Sequence, residues 1–391
     1  MAGRSSFRDI DWDAPSGQRP ITLREGVSAL AVTAIVGLYV YAATSVPAGD
    51  PVLFGWPIGR LEWLWLFSFV ALGHAMWPLA SNPERGKRYL SRLRRNYVAT
   101  AAGLYLLVFF LAGTIGPILM APPEAAFTYG DLPPFGFSVD AQVADGCKNL
   151  VGDTCYGTLA HPLGTTEGGK DMLGLLVYGT RLVLEIAMVT GVIVVPLATF
   201  AGATAASFGG RIDDVITGIM DIERTVPALF VFLLVRAITG NGSVFFLVLI
   251  FGLINAGSVA SVVRSRALDE VGKPYIRAAR SAGASRWAII RDHIVPNVSH
   301  VALTAAVLQI PILIVTEATL SYLKVGSFMP SPIMTTPPSL VSWGKLIARD
   351  IQVVSAVWWP VVFPILALFV TVLAINVFGE GLRQAFAPEA R

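Results

Sequence analysis

Apolar residues in this chain fall in long, nearly unbroken blocks, without the period of two that marks a half-buried strand or the single stripe of a surface helix. A helix crossing a bilayer needs about 20 mostly apolar residues, because every amide and carbonyl must be satisfied within the segment. Eight stretches meet that need: 27–46, 59–80, 97–120, 181–206, 219–239, 244–263, 301–323 and 355–378. The fifth is the poorest, with Asp221, Glu223 and Arg224 in its first turns and an apolar run only from Val226 to Ile238. The pattern predicts an all-α polytopic membrane protein with about 8 transmembrane helices.

The polar intervals set orientation. Arg85, Lys87, Arg88, Arg92, Arg94 and Arg95 separate the second and third stretches, and Arg264, Arg266, Lys273, Arg277, Arg280, Arg286 and Arg291 separate the sixth and seventh. The positive-inside rule places both intervals in the cytoplasm. Interval 121–172 carries seven acidic residues against Lys148 and Lys170 and is expected outside. Eight spans then leave both termini cytoplasmic and put Cys147 and Cys155 on the oxidising side, where a disulfide and two free thiols both remain open. Small residues at Gly202, Ala206 and Gly210 are expected to let the fourth helix approach a neighbour closely.

Composition narrows the classes. Charged residues make up 14% of the 391-residue chain and apolar ones 54%, whereas an average soluble domain is about 25% charged. Soluble globular and disordered readings both fail on that balance. A net charge of +3, scattered over loops, argues against a nucleic-acid partner. The two cysteines lack the Cys/His neighbours of a zinc site. Residues 1–26 are polar and no Ala-x-Ala site follows the first apolar run, so the N-terminus is expected to stay on the chain.

The basic stretch 264–300 carries helical pattern. Pro274 suits a first helical position, Gly283 a helix C-terminus, and Pro296 disfavours helical geometry at Val295. Two short helices are expected to meet at Gly283. The first offers Ala278, Ala279 and Ala282 to a close surface, and the second offers Trp287, Ile290 and Ile294 as apolar anchors for a groove on a cytoplasmic partner. A basic loop that holds topology and touches anionic lipid is the plainer alternative.

Ala278-Ala279, three residues, Gly283 and the later Pro296 resemble the coupling motif of ABC importer permeases, which reads Glu-Ala-Ala, three residues, Gly, then Leu-Pro. Arg277 replaces the Glu, Val295 the Leu and His293 the usual Ile. Further segments are similar to the second permease subunit of the dipeptide/oligopeptide/nickel type: His161-Pro162-Leu163-Gly164-Thr165 with Gly169-Lys170-Asp171, Gly209-Gly210-Arg211-Ile212-Asp213-Asp214 with Asp221 and Pro227, Glu317-Ala318-Thr319-Leu320-Ser321-Tyr322-Leu323, and Gly379-Glu380-Gly381-Leu382-Arg383. The resemblance covers about 160–390, with the span near 94–120 also fitting, and leaves residues 1–80 outside it.

That resemblance implies a type I ABC importer transmembrane fold with two extra N-terminal helices. It divides the chain into a cytoplasmic tail (1–26), an additional two-helix segment with basic loop (27–90), a first core helix and extracellular loop (91–172), a transmembrane domain (173–380) with its coupling loop at 264–300, and a C-terminal tail (381–391). It implies a plasma-membrane permease subunit that imports di- or oligopeptides, with nickel or another small solute as the alternative substrate. A homologous permease subunit would complete a heterodimer, two cytoplasmic ABC ATPases would hold the ATP and Mg, an extracellular substrate-binding protein would deliver the cargo, and this chain would bind no cofactor. ATPase coupling would fall to Tyr275, Ile276, Arg277, Ala278, Ala279, Gly283, Ala284, Trp287 and Pro296.

Other candidates come from the cost of burying charge in a membrane, about 2.5–3.5 kcal/mol at mid-depth. Glu223 and Arg224 could line a path or sit at the cytoplasmic interface, the latter favoured. Glu317 is the strongest intramembrane polar residue, for a pore or an inter-helix hydrogen bond. His74 reads as a packed histidine rather than a ligand. Gly164, four residues, Gly169 and Lys170 imitate a phosphate loop, but Asp171 stands at the Ser/Thr position and no strand precedes it. For an ion-coupled secondary transporter the chain offers few midplane ion pairs and no evident inverted repeat, and for a haem anchor it has no paired intramembrane histidines.

Overall fold

The structure, a computed structural model, describes residues 23–46, 60–240, 243–323 and 341–386. Within them the regular structure is helical apart from one small sheet. Its elements begin with α1 (Leu23–Ser45), α2 (Arg60–Ser81), the short basic α3 (Pro83–Arg94) and α4 (Tyr97–Leu119). Three strands follow: β1 (Ser138–Asp140), β2 (Leu150–Val151) and β3 (Thr154–Tyr156). Then come α5 (Met172–Phe208), α6 (Gly210–Thr225), α7 (Ala228–Thr239), α8 (Val244–Val271), α9 (Pro274–Ser281), α10 (Arg286–Ile289), α11 (Val295–Val307), α12 (Ile310–Tyr322), α13 (Trp343–Asp350) and α14 (Trp359–Phe386).

Among the described residues six helical stretches are long and apolar enough to cross a membrane: α1, α4, α5, α8, the run Arg286–Tyr322, and α14. α2 has the length, at 22 residues, but carries Arg60, Glu62 and His74. The predicted fifth span, 219–239, is not one helix. Pro227 has no amide hydrogen to donate and disfavours helical geometry at the residue before it, so Val226 and Pro227 are extended and separate α6 from the 12-residue α7. The predicted fourth span starts earlier, because Asp171 caps α5 by accepting from the Gly174 amide at 2.9 Å.

α5 and α8 form the central pair, with α2, α4, α6, α11, α12 and α14 packed around them. Gly202 sets their approach, since a β-carbon there would lie 2.8 Å from the Arg264 amide nitrogen of α8. Ala206 is buried in the same contact. Gly210 is not part of that stripe: α5 ends at Phe208, and Gly210 starts α6 at φ 53 with open space around it.

The interval between α4 and α5 folds into a cap. Its antiparallel sheet runs β1-β3-β2, with Val139 opposite Cys155 and Val151 opposite Thr154. Cys147, in the loop before β2, is joined to Cys155 of β3 in a disulfide. The cap is tied to the membrane body by Trp359 at the start of α14, whose Nε1 donates to the Thr165 carbonyl at 2.8 Å. Thr165 Oγ1 in turn donates to the Tyr129 carbonyl at 2.6 Å and accepts from the Leu132 amide. The phosphate-loop look-alike belongs to this cap: Asp171 is occupied as a helix cap and as a partner of His161 Nδ1 at 3.1 Å.

The two added helices differ in their attachment. α2 packs on α5, where the Trp65 ring lies under the Arg181 guanidinium at 5.0 Å from its centroid. α1 has no buried residue and rests on α2 through the Ser28 hydroxyl and His74 Nδ1, 2.8 Å apart, and the Tyr39–Trp63 ring pair. His74 thus sits in an inter-helix hydrogen bond.

Candidate coupling site

The stretch 264–300 is far more ordered than a loop. α8 continues to Val271, and helix resumes at Arg286, so only 272–273 and 282–285 lie outside helices. Pro274 occupies the first turn of α9 behind an extended Lys273 (φ −71, ψ 147). At its other end the Gly283 amide donates to the Arg280 carbonyl at 3.0 Å and the Ala284 amide to the Ala279 carbonyl at 3.1 Å. These two bonds make a Schellman turn, which needs a left-handed residue, and Gly283 has φ +86.

Pro296 does not end the second helix. Val295 is helical at φ −53, ψ −47, and the chain absorbs the missing amide of Pro296 by widening residues Ile290–Ile294 into one π turn, with the Val295 amide bonded to the Ile290 carbonyl. The helix therefore runs on into α11, and the expected short second helix is the beginning of a membrane-crossing one.

Packing reverses the expected role of several side chains. Ile276 is fully buried, in one apolar cluster with Ile289, Ile290, Ile294, Ala267 and Ala203, so it faces its own chain and not a partner. Burying such a side chain contributes about 1.5–3 kcal/mol. Ile290 and Ile294, expected as anchors for a partner, are likewise inside. Ala279 and Ala284 are half-buried, and Trp287 is half-exposed, stacked on Phe200 of α5 at 5.8 Å and 10° between planes. What remains outward is Arg277, Ala278, Arg280, Ser281, Ala282 and Gly283, a small cationic knob with short side chains at its tip. Pro296 is also exposed, on the following helix.

A polar hub that the sequence reading passed over fixes α9 at its base. Glu270 at the end of α8 is 3% exposed, and its carboxylate accepts from Lys273 Nζ at 2.6 Å and from the Tyr275 hydroxyl at 2.9 Å. Asn297 Nδ2 of α11 donates to the same hydroxyl at 3.4 Å. Burial, and then the adjoining Glu270 carboxylate, pushes the Tyr275 phenol above its ordinary range. On the other side, Arg286 Nη1 donates to the Phe208 carbonyl at the end of α5 at 3.1 Å. The knob is thus fastened to α8, α11 and α5 together.

The other predicted residues lie apart from this site. Glu317 is buried at the α12–α13 contact and accepts from Ser321 Oγ at 2.7 Å. Gly344 of α13 sits so close to the Ala318 carbonyl that a β-carbon would collide with it. Glu317 also bonds to the Ser342 side chain at the start of α13, and so links the two helices. Arg224 is exposed and pairs with Asp221 at 3.7 Å, and Glu223 rests against α8. Sequence reasoning also missed a buried ion pair, Arg181 Nε to Glu185 Oε1 at 2.9 Å within α5, and the tryptophans Trp343 and Trp359. The signal for the pair was present as two opposite charges four residues apart in an apolar block. Among the described residues no cluster of three or more His, Cys, Asp or Glu could hold a metal.

Residues 195–391 match the family described as binding-protein-dependent transport system inner membrane component. The chain is 28% identical to a dipeptide transport system permease protein of Bacillus subtilis over 306 residues, 77% of this chain and 84% of that one. It is 30% identical to a probable D,D-dipeptide transport system permease protein of Escherichia coli over 231 residues, 59% of this chain and 74% of the other. A putative peptide transport system permease protein of Brucella suis is 32% identical over 237 residues, 60% and 75% of the two chains. With a family match over half its length and a knob fastened to three membrane helices, this chain belongs to the binding-protein-dependent transport system inner membrane components, the multi-pass permeases of ABC importers.

Proposed function

We propose that this chain forms half of the translocation pathway of an importer for di- or oligopeptides, and that α9 receives the mechanical stroke of a separate ATPase. A homologous permease completes the pathway, two ATPases supply ATP hydrolysis with its Mg, and an extracellular binding protein delivers the peptide to the cap side. The chain lies in the plasma membrane with both termini in the cytoplasm. The observation that carries the reading is the fastening of α9: Ile276 and the Glu270–Tyr275 hub lock it to α8 and α11, while Arg277, Ala278 and Arg280 to Gly283 stay outward. The peptide substrate is taken from the relatives' names.

The test is reconstitution of the chain with the ATPases, second permease and binding protein of its importer, followed by uptake of labelled peptides into proteoliposomes. Uptake is expected to require ATP, the ATPases and the binding protein together. Peptide uptake by this chain alone, driven by an ion gradient, would overturn the proposal.

A further inference from the structure

Glu223 lies in the last turn of α6, beside the break that separates α6 from α7. Val226 (φ −86, ψ 116) and Pro227 (φ −66, ψ 118) are extended there, inside what the hydrophobic pattern marks as one span. Non-helical backbone at membrane depth is tolerated only where protein covers it or where it lines a water-filled cavity. Here Asp221, Arg224, Thr225, Val226 and Pro227 are all exposed on the chain's surface. The break is therefore left uncovered by the described residues.

The depth of Glu223 follows from its contact. Its carboxylate occupies the space above Gly257 of α8, where a β-carbon would collide with Oε2. Gly257 lies about 20 Å along α8 from its Val244 end and about 10 Å short of Arg264, where the basic interval begins. With a hydrocarbon core about 30 Å thick, Glu223 then lies inside the core, on the cytoplasmic side of its centre. Nearby cations are engaged elsewhere: Arg224 reaches Asp221, and Arg264 donates from Nε to Asp213 Oδ1 at 2.6 Å in a two-point contact. Among the described residues no Lys or Arg makes an ion pair with Glu223. A half-buried carboxylate at this depth, without a cation, on an uncovered helix break, calls for water and a positive charge.

We propose that Glu223 lines the translocation path and favours peptides that present an ammonium or guanidinium group as they pass. This rests on the peptide-import reading above and adds to it a charge preference set by this chain. Gly257 is the positioning residue, because its missing side chain gives the carboxylate its seat.

Two measurements on the assembled importer test this. In proteoliposomes, uptake of tripeptides that differ only in a central Lys or Glu is compared for the wild type, Glu223→Gln and Glu223→Asp. A close charge pair even in water is worth about fivefold, so Glu223→Gln is expected to lower the Lys-to-Glu uptake ratio by about fivefold or more, and Glu223→Asp to preserve its direction. In nanodiscs, Glu223→Cys supplies a free thiol in a chain whose two cysteines are joined to each other. A charged, membrane-impermeant thiosulfonate is expected to label it, and excess Lys tripeptide to slow the labelling. An unchanged ratio in Glu223→Gln with uptake intact overturns the proposal. So does an unlabelled thiol, which would mean lipid or a cation of the second permease covers the position. Labelling without peptide uptake by the wild type would instead overturn the peptide reading, and the ligand class with it.

Discussion

Gly283 offers the sharpest perturbation of the coupling knob because its cost is isolated in the backbone. A β-carbon at this position meets nothing within 4 Å, so a substitution creates no clash. The φ of +86 is the whole problem, since an L-residue in left-handed geometry costs about 1–2 kcal/mol, with Asn among the least penalised. A cost of that size changes the population of the native turn by a factor of about 5–30. Ile276 burial holds α9 in place with about 1.5–3 kcal/mol. The turn after Ala282 is therefore expected to deform while α9 stays docked and the chain still inserts. The assay is peptide molecules imported per ATP hydrolysed in the reconstituted importer, for Gly283→Asn, Gly283→Ala and Gly283→Val. The expected order of damage is Asn least, Ala intermediate and Val greatest, at normal membrane abundance. Wild-type stoichiometry in Gly283→Val would refute the coupling role. Equal damage from Asn and Val would show that a side chain at the partner contact matters, and not the turn.

Two further outcomes concern the cap. Asp131 stands at φ 53, and its carboxyl is pushed up to about 6, first by burial and then by repulsion from Glu167, Asp350 and Asp145, with Arg349 opposing. An unfolded carboxyl near 3.8 loses its proton earlier, so the folded cap binds more protons between those values and its stability falls as pH rises through about 4 to 6. Asp131→Asn, which also tolerates the left-handed backbone, is expected to flatten that profile and to slow proteolysis of 121–171 at pH 7.5; equal or faster cleavage would contradict the assignment. Trp359→Phe keeps the ring but leaves the Thr165 carbonyl without its indole donor, at a cost of about 1–3 kcal/mol. Amide exchange in the cap should accelerate while α14 stays protected, and unaltered cap exchange would show that the tether is dispensable.

The sequence by itself determined that this is a membrane protein and where most of its helices lie, because spanning a bilayer imposes a length and an apolarity that can be counted along a chain. It also located the knob, since Pro274 and Gly283 act on the backbone locally wherever the chain places them. What the sequence could not decide was which way side chains face once helices meet. Ile276, Ile290 and Ile294 have the same pattern whether they grip a partner or their own core, and only the packing of α8, α9 and α11 turned them inward. Glu270 is one acid among basic neighbours along the chain, and only burial makes it the hub for Lys273 and Tyr275. Glu223 takes its seat beside Gly257 only because α6 packs on α8, a helix more than thirty residues further along the chain. Hydrophobic length and backbone chirality are local properties, written residue by residue. The environment of a charge is set by atoms far apart in the chain, and comes into being only when those helices pack.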